Sequence, residues 1–361
     1  MSLIKVKSRG TDNVSGRRNI VINGDMKVAQ RNGTTVTQAA HNGYSGPDRW
    51  KTFGSGGGVY TIAQDSGHQA DTGHDKALKI AVTTADTSIA ATDVYSFLTR
   101  IESNSLQHLQ YGTSSAKSIT FSFWVRATKT GTQAVFFSKQ GTGTDYNHIK
   151  EYTINASNTW EHKTITIPGL TASTMVNDAS TYLQVGWILQ YGSNYHGTKD
   201  TWTTNGHFST GAAVNNMDST SNTFYVTGVQ LEVGDSASDF EHRSFGEELS
   251  LCQRYMQVLR EGIQGWCTNA NGTCVWTYPL QQVMRTAPTI TCTEDKYRYG
   301  DAVAIGCAMT SISLSASTYN SDTCAAWTVT GTADASPAQY RNQLLEPNSA
   351  IYGSFHFISE L

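Results

Sequence analysis

Cysteine is absent from the first 251 of the 361 residues, and all six, Cys252, Cys267, Cys274, Cys292, Cys307 and Cys324, fall in the last third. Their spacing contains no C-x-x-C pair, which argues against a structural zinc site. Without a sign of an oxidising compartment, buried free thiols are expected rather than disulfides. Proline is scarce, 6 residues beside 32 glycines, and charged residues make up only 15% of the chain, a balance typical of turn-rich β proteins. No apolar run reaches the roughly eighteen residues of a membrane span. The start, MSLIKVKSRG, alternates charges and lacks the apolar centre of a secretory signal, so a soluble protein made without export is expected. The formal charge is −3 with no long basic block, which removes nucleic acid as the expected partner, because phosphate binding draws on clustered Lys and Arg. No repeat of about 20–50 residues is visible, which excludes the rungs of a parallel β-helix. The glycine clusters GSGGG (54–58) and YGTSS (111–115) lack the Gly-Lys-Ser/Thr of a phosphate loop and read as turns.

What is present is alternation. In SITFSFWVRA (118–127), Ile119, Phe121, Phe123 and Val125 share one face, while Thr120, Ser122, Trp124 and Arg126 share the other, as in a half-buried strand. KTGT follows and QAVFFSKQ runs on, which reads as a hairpin. EHKTITIPG (161–169), TYLQVGWILQYG (181–192) and NTFYVTGVQLEVG (222–234) repeat the period, with Gly228 at the place of a bulge. Many short strands, long polar loops and little helix predict a mainly β chain containing an antiparallel sandwich of jelly-roll type.

The period changes after residue 243. Phe245, Leu249, Cys252, Met256 and Leu259 are spaced 4, 3, 4 and 3 apart, and Ser244 with Glu247 forms a capping box. A helix over 245–260 is predicted, and its apolar seam could meet two copies of itself in a trimer neck or lie on its own β domain. Beyond it the pattern is β again. The expected domains are an N-terminal arm (1–18) that docks on a larger assembly, a jelly roll (19–240), a connecting helix (241–262) and a C-terminal β domain (263–361).

Several stretches in joined order carry a resemblance: RRNIVINGDMKVAQR (17–31), DRW (48–50), RIESNSLQHLQYGTSSAKSITFSFWVRATKTGT (100–132), NTWEHKTITIPG (158–169), FYVTGVQLEVGDSASDFEHRSFGEELSLCQRY (224–255), YPLQQVMRTAPT (278–289) and the closing SEL. Together the chain resembles a family of marine-phage virion proteins described as tail fibres or carbohydrate-binding-like tail proteins. The resemblance implies a jelly roll akin to carbohydrate-binding modules, a C-terminal β domain, homotrimeric assembly and a place on the virion. Its implied partners are other virion proteins, reached through the arm, and host cell-surface polysaccharide. Such modules often hold a structural calcium ion through an NGDFE-like stretch and a late acid. Here Met26-Lys27 and Thr227-Gly228 stand at those places, so no cofactor or metal is expected.

DFEHRSFGEELSLCQRYM (239–256) offers acids, a histidine and a cysteine within eighteen residues. His242 and Cys252 are nevertheless separated by about 14 Å of largely helical rise, too far to form a nucleophile pair. Glu247 and Glu248 diverge on a helix and suit its N-terminal dipole better. No catalytic residue is expected. Sugar binding needs aromatic platforms flanked by polar side chains, and two segments offer them. The first contains Tyr191, Asn194, Tyr195, His196 and Trp202, with Asp200 and His207 nearby; the second contains Trp266, Trp276 and Tyr278, with Asn269 and Asn271. Trp124, Trp160 and Trp187, inside strands, are expected to pack, and DRW reads as a structural corner. The expected function is host attachment by a virion tail fibre. The alternatives are a non-adhesive head decoration or tail adaptor, and a tailspike that degrades polysaccharide, which would need converging carboxylates.

Overall fold

The computed structural model describes residues 18–31, 37–38, 42–259, 263–267, 273–286, 288–292, 297–300, 307–316, 326–333, 342–347 and 355–361, with side chains over 18–31, 43–259, 280–286, 288–289 and 356–361. The chain divides into two compact units, Met1–Ser244 and Phe245–Leu361. Among the described residues no helix is long and apolar enough to cross a membrane.

The first unit is a jelly-roll β-sandwich. Its strands in chain order are β1 (Thr37–Gln38), β2 (Asn42–Gly43), β3 (Lys51–Ser55), β4 (Val59–Ser66), β5 (Lys76–Thr84), β6 (Val94–Glu102), β7 (Ile119–Ala127), β8 (Gly131–Lys139), β9 (Tyr146–Ile154), β10 (Glu161–Ile167), β11 (Thr181–Tyr191), β12 (Trp202–Thr203) and β13 (Thr223–Val233). One sheet runs β1-β4-β5-β13-β7-β10, the other β12-β9-β8-β11-β6-β3-β2. The alternation fixes which faces meet. Ile119, Phe121, Phe123 and Val125 of β7 and Leu183, Val185, Trp187 and Leu189 of β11 are fully buried in one core between the sheets. The ring of Trp187 touches those of Trp50, Phe97, Phe121 and Phe123 at 5.1–5.7 Å.

The hairpin expected for residues 118–139 does not form. β7 pairs with β13 and β10, whereas β8 pairs with β9 and β11 in the opposite sheet. The turn at Lys129-Thr130-Gly131, where Gly131 takes φ 111°, carries the chain across the sandwich edge. Phe121 of β7 and Phe137 of β8 then meet edge to face through the core at 5.4 Å. Both strands bury an apolar stripe in the same core from opposite sides, which a flat hairpin could not achieve.

A second apolar layer lies outside the seven-stranded sheet. Val94, Leu98, Phe136, Ile149, Ile188 and Tyr191 form it, and Tyr195, Phe208 and Ala213 from the segment after β11 pack onto it. Backbone bonds from Asp200 to Ile149, Val214 to Thr132 and Asn216 to Leu189 fasten that segment across the sheet. The N-terminal stretch is tied in through DRW. Asp48 accepts two bonds from Gln30, Trp50 donates its indole N–H to the Asn23 carbonyl at 3.1 Å, and Asn23 donates to the Val28 and Asp48 carbonyls.

In the second unit the helix α1 (Phe245–Gln253) is shorter than expected. The chain turns at Tyr255, whose N–H bonds to the Cys252 carbonyl. It then becomes β14 (Met256–Leu259), antiparallel to a strand close to the C-terminus, Phe355–Ile358. The expected continuous seam is thereby corrected. Phe245, Leu249 and Cys252 are helical, Met256 and Leu259 lie on a strand, and Cys252 and Met256 are already fully buried within one chain. Gln257 explains part of the break: its amide donates to the Gln253 and Gln282 carbonyls, satisfying a helix-end acceptor in place of a further turn. Beyond lie β15 (Ile263–Cys267), β16 (Thr273–Pro279), β17 (Thr289–Cys292), β18 (Tyr297–Gly300), β19 (Cys307–Ala316), β20 (Ala326–Ala333), β21 (Asn342–Pro347) and β22 (Phe355–Ile358). They form a three-stranded sheet, β14-β22-β17, and a closed barrel, β15-β16-β20-β19-β18-β21. Residues 1–17 of the expected arm (1–18) lie outside the described residues, as do the side chains of the five cysteines after Cys252; Cys252 is buried.

Candidate functional site

Where the strand pattern turns outward on the six-stranded sheet, it presents an aromatic and histidine surface. Residue 124 points away from the core because 123 and 125 point into it, and the register sets Trp124 directly opposite His162 of β10, with ring centroids 5.2 Å apart. Trp124 is half-buried and His162 exposed. On its other side Trp124 faces Thr227 of β13, where the ladder slips between Thr227 and Gln230. Gly228 sits in that bulge with φ 58°, and a Cβ there would lie 2.6 Å from His74 Nε2 and 3.0 Å from the Trp124 ring. Only glycine leaves room for the imidazole.

His74 is supplied by the β4–β5 connection, and the far wall comes from the chain after β13. Phe240 meets His74 at 4.6 Å and His242 at 5.0 Å, both edge to face, while the two imidazoles stack at 5.4 Å. With Ser122, Ser238 and Asp239 these residues line a cleft of about 270 Å³. Burial drives the pKa of His74 down to about 4, and His162 is lowered for the same reason, so both imidazoles are neutral at pH 7 and can donate and accept hydrogen bonds.

Two residues further along β7, roughly 7 Å away, the same face carries a second aromatic group. The Arg126 guanidinium lies 4.1 Å over the Tyr225 ring and 5.1 Å from that of Trp160, and His68 packs edge-on against both rings. Trp160 is half-buried and Tyr225 buried.

The residues expected to bind sugar are placed differently. Tyr191 is 3% exposed, its hydroxyl shared with Ser96 and its ring against Tyr195 and Phe208, so it is part of the second apolar layer. Tyr195 is half-buried on that layer, and His196 donates from Nε2 to the Tyr191 carbonyl at 2.9 Å. Trp202 donates its indole N–H to the Pro168 carbonyl and packs on His148 and Tyr111. Asn194 is exposed on the outer surface. Trp266 lies on β15, and Trp276 and Tyr278 lie on β16; their side chains fall outside the described residues. Of the first group, Tyr191, Tyr195 and Trp202 are therefore packed against neighbouring side chains. A cleft is lined instead by Trp124, expected to pack, by Phe240 and His242 of the 239–256 stretch, and by His74 and His162, to which the sequence had given no role. Asp239, Phe240 and His242, at the start of the 239–256 stretch, form one wall of that cleft.

The calcium question turns on Asp25. Lys27 Nζ lies 2.8 Å from Asp25 Oδ2 and donates to the Arg243 carbonyl at 2.8 Å, so an ammonium already occupies oxygens that a calcium ion would seek. Among the described residues, the His, Cys, Asp and Glu side chains clustered with Asp25 are His74 and His242, whose imidazoles are poor partners for so hard a cation.

No protein-family model and no curated protein matches the chain. Among solved structures, it is similar to the enzymatically active domain of bacteriophage CBA120 tailspike protein 4, at 10% identity and TM-score 0.30, over 60% of this chain but only 21% of that one. It is also similar to the CBM22-2 xylan-binding domain of Paenibacillus barcinonensis Xyn10C, at 16% identity and TM-score 0.30, over 52% of this chain and 92% of that one. A third is the family 11 carbohydrate-binding module of the Clostridium thermocellum cellulase Lic26A-Cel5E, at 12% identity and TM-score 0.29, over 58% and 99%. The chain thus spans about a fifth of the tailspike domain's length.

Proposed function

We propose that the protein is a structural subunit of a bacteriophage virion, a tail fibre protein that holds host-surface glycan in the Trp124 cleft without cleaving it. The observation that carries this reading is a half-buried tryptophan in an open cleft, ringed by hydroxyl, imidazole and carboxylate groups. A pyranose offers C–H faces to such a ring and hydroxyls to Ser122, His162 and Asp239. Hydrolysis would call for two opposed carboxylates, whereas Asp239 is the one carboxylate among the described lining residues. The sequence resemblance to marine-phage tail proteins supports the virion setting. A homotrimer would present three such clefts and gain avidity from effective concentration.

The competing reading is a non-adhesive head decoration or tail adaptor. Antibody-labelled electron microscopy of intact particles, paired with adsorption assays, separates the two. Label at the fibre tips and loss of adsorption on adding excess free protein are expected. Label on the head or tail tube with adsorption unchanged would remove the adhesion role, and release of reducing ends from host polysaccharide would replace it with an enzymatic one.

A further inference from the structure

Asp25 is 7% exposed, and its Oδ1 has no hydrogen-bond partner among the described residues. Its Oδ2 is held by Lys27. A buried carboxylate oxygen left unpaired is costly, about 1–3 kcal/mol or more, and such an atom calls for an explanation such as strain, function or an ion. Its surroundings supply one. One ligating atom each of Asp25, His74 and His242 lie within 4.8 Å of one another. His74 is 6% exposed. It is neutral at pH 7, with a lone pair free to bind.

We propose that Asp25, His74 and His242 bind a divalent first-row transition-metal ion of the zinc type, with at least one coordination position left open towards the cleft. Two imidazoles and a carboxylate form a donor set suited to Zn²⁺, Co²⁺ or Fe²⁺, and three protein ligands leave room for water or another oxygen. Bonds of about 2.0–2.1 Å place tetrahedral ligand atoms roughly 3.3 Å apart, so the cluster, now within 4.8 Å, must contract by up to about 1.5 Å. His242 can supply that movement because it is exposed at the end of the first unit. Lys27, bound to the second oxygen of Asp25, fixes the carboxylate from behind, as outer-shell partners of metal ligands commonly do. The three ligands come from the N-terminal stretch, the β4–β5 connection and the segment after β13, so the ion would tie together parts of the chain remote in sequence. The site does not depend on glycan binding.

The test uses untagged, chelator-treated full-length protein titrated with Co²⁺ and followed by visible absorption, then with Zn²⁺ by calorimetry. One equivalent of Co²⁺ is expected to give ligand-field bands without thiolate charge transfer. Zn²⁺ should displace it, and millimolar Ca²⁺ should not. His242→Gln, at an exposed position with little bearing on folding, should weaken binding at least tenfold; Asp25→Asn should do the same, and His196→Gln should change nothing. Absence of saturable binding, thiolate charge transfer, or equal affinity in His242→Gln would each overturn the assignment.

Discussion

Acidification from pH 6.5 to 4 should weaken the first unit by roughly 3 kcal/mol through His148 alone. This imidazole is fully buried on β9, neither ring nitrogen has a hydrogen-bond partner among the described residues, and the ring meets Trp202 at 5.2 Å. Burial lowers its pKa from 6.5 to about 4; the charge of Lys150 adds to the lowering, and Asp200 opposes it. A depressed folded-state value means that the native protein binds fewer protons than the unfolded chain. The stabilisation is therefore fully present above pH 6.5 and is lost as the pH falls through 4. His74, lowered by burial and by the neighbouring His242, Lys27 and His162 against the pull of Asp25, adds to the same slope. Urea titrations in chelator at pH 7.5, 6, 5 and 4 measure it. His148→Phe preserves the ring contact, removes two unpaired polar atoms and cannot take up a proton. It should match or exceed wild type at pH 7.5 and lose about half of the acid slope. A slope unchanged in His148→Phe would show that other groups govern acid stability.

Trp187→Ala should cost about 3–5 kcal/mol, the range for emptying a large aromatic site in a packed core. Trp187 is fully buried and stands where rings from both sheets converge: Phe121 and Phe123 of β7, Phe97 of β6, and Trp50 at the end of DRW. Its indole N–H has no partner among the described residues, so the loss is one of packing alone, and Trp187→Phe should cost roughly half as much. Far-UV circular dichroism during urea unfolding reads the change as a lower midpoint at similar slope. A shift under 1 kcal/mol would mean that the two sheets are not joined through this ring.

Period-two alternation made the sandwich legible, because each strand of the first unit turns one apolar stripe to the core; the Gly228 bulge was legible for the same reason. Sheet membership was not. The turn after Ala127 looks local, but whether it closes a hairpin or crosses between sheets depends on what β7 and β8 pair with, and those partners, β13 and β11, lie far along the chain. The second apolar layer had a signal that simple alternation hides. Adjacent Phe136-Phe137 and Trp187-Ile188 point to opposite faces, so both faces of that sheet had to be covered, and the long segment after β11 was available to do it. Its tyrosines are therefore packed, not displayed. The helix was placed correctly at its start and overextended at its end, since 4-3-4-3 spacing over 245–259 does not reveal that a strand near the C-terminus would claim Met256–Leu259. Trp124 sits on the polar face of its strand, which hinted at display, but its companions come from β10, the β4–β5 connection and the segment after β13, and only the fold brings them together.

The central claim is that the Trp124 cleft holds host glycan, and surface plasmon resonance of the full-length protein over immobilised host envelope polysaccharide tests it most directly. Wild type should bind reversibly. Trp124→Ala, at a half-buried position outside the core, should keep the same unfolding midpoint and bind at least tenfold more weakly, equivalent to about 1.4 kcal/mol, with Trp124→Phe in between. Equal binding by wild type and Trp124→Ala, or no binding by wild type to any fraction of the host envelope, would contradict it.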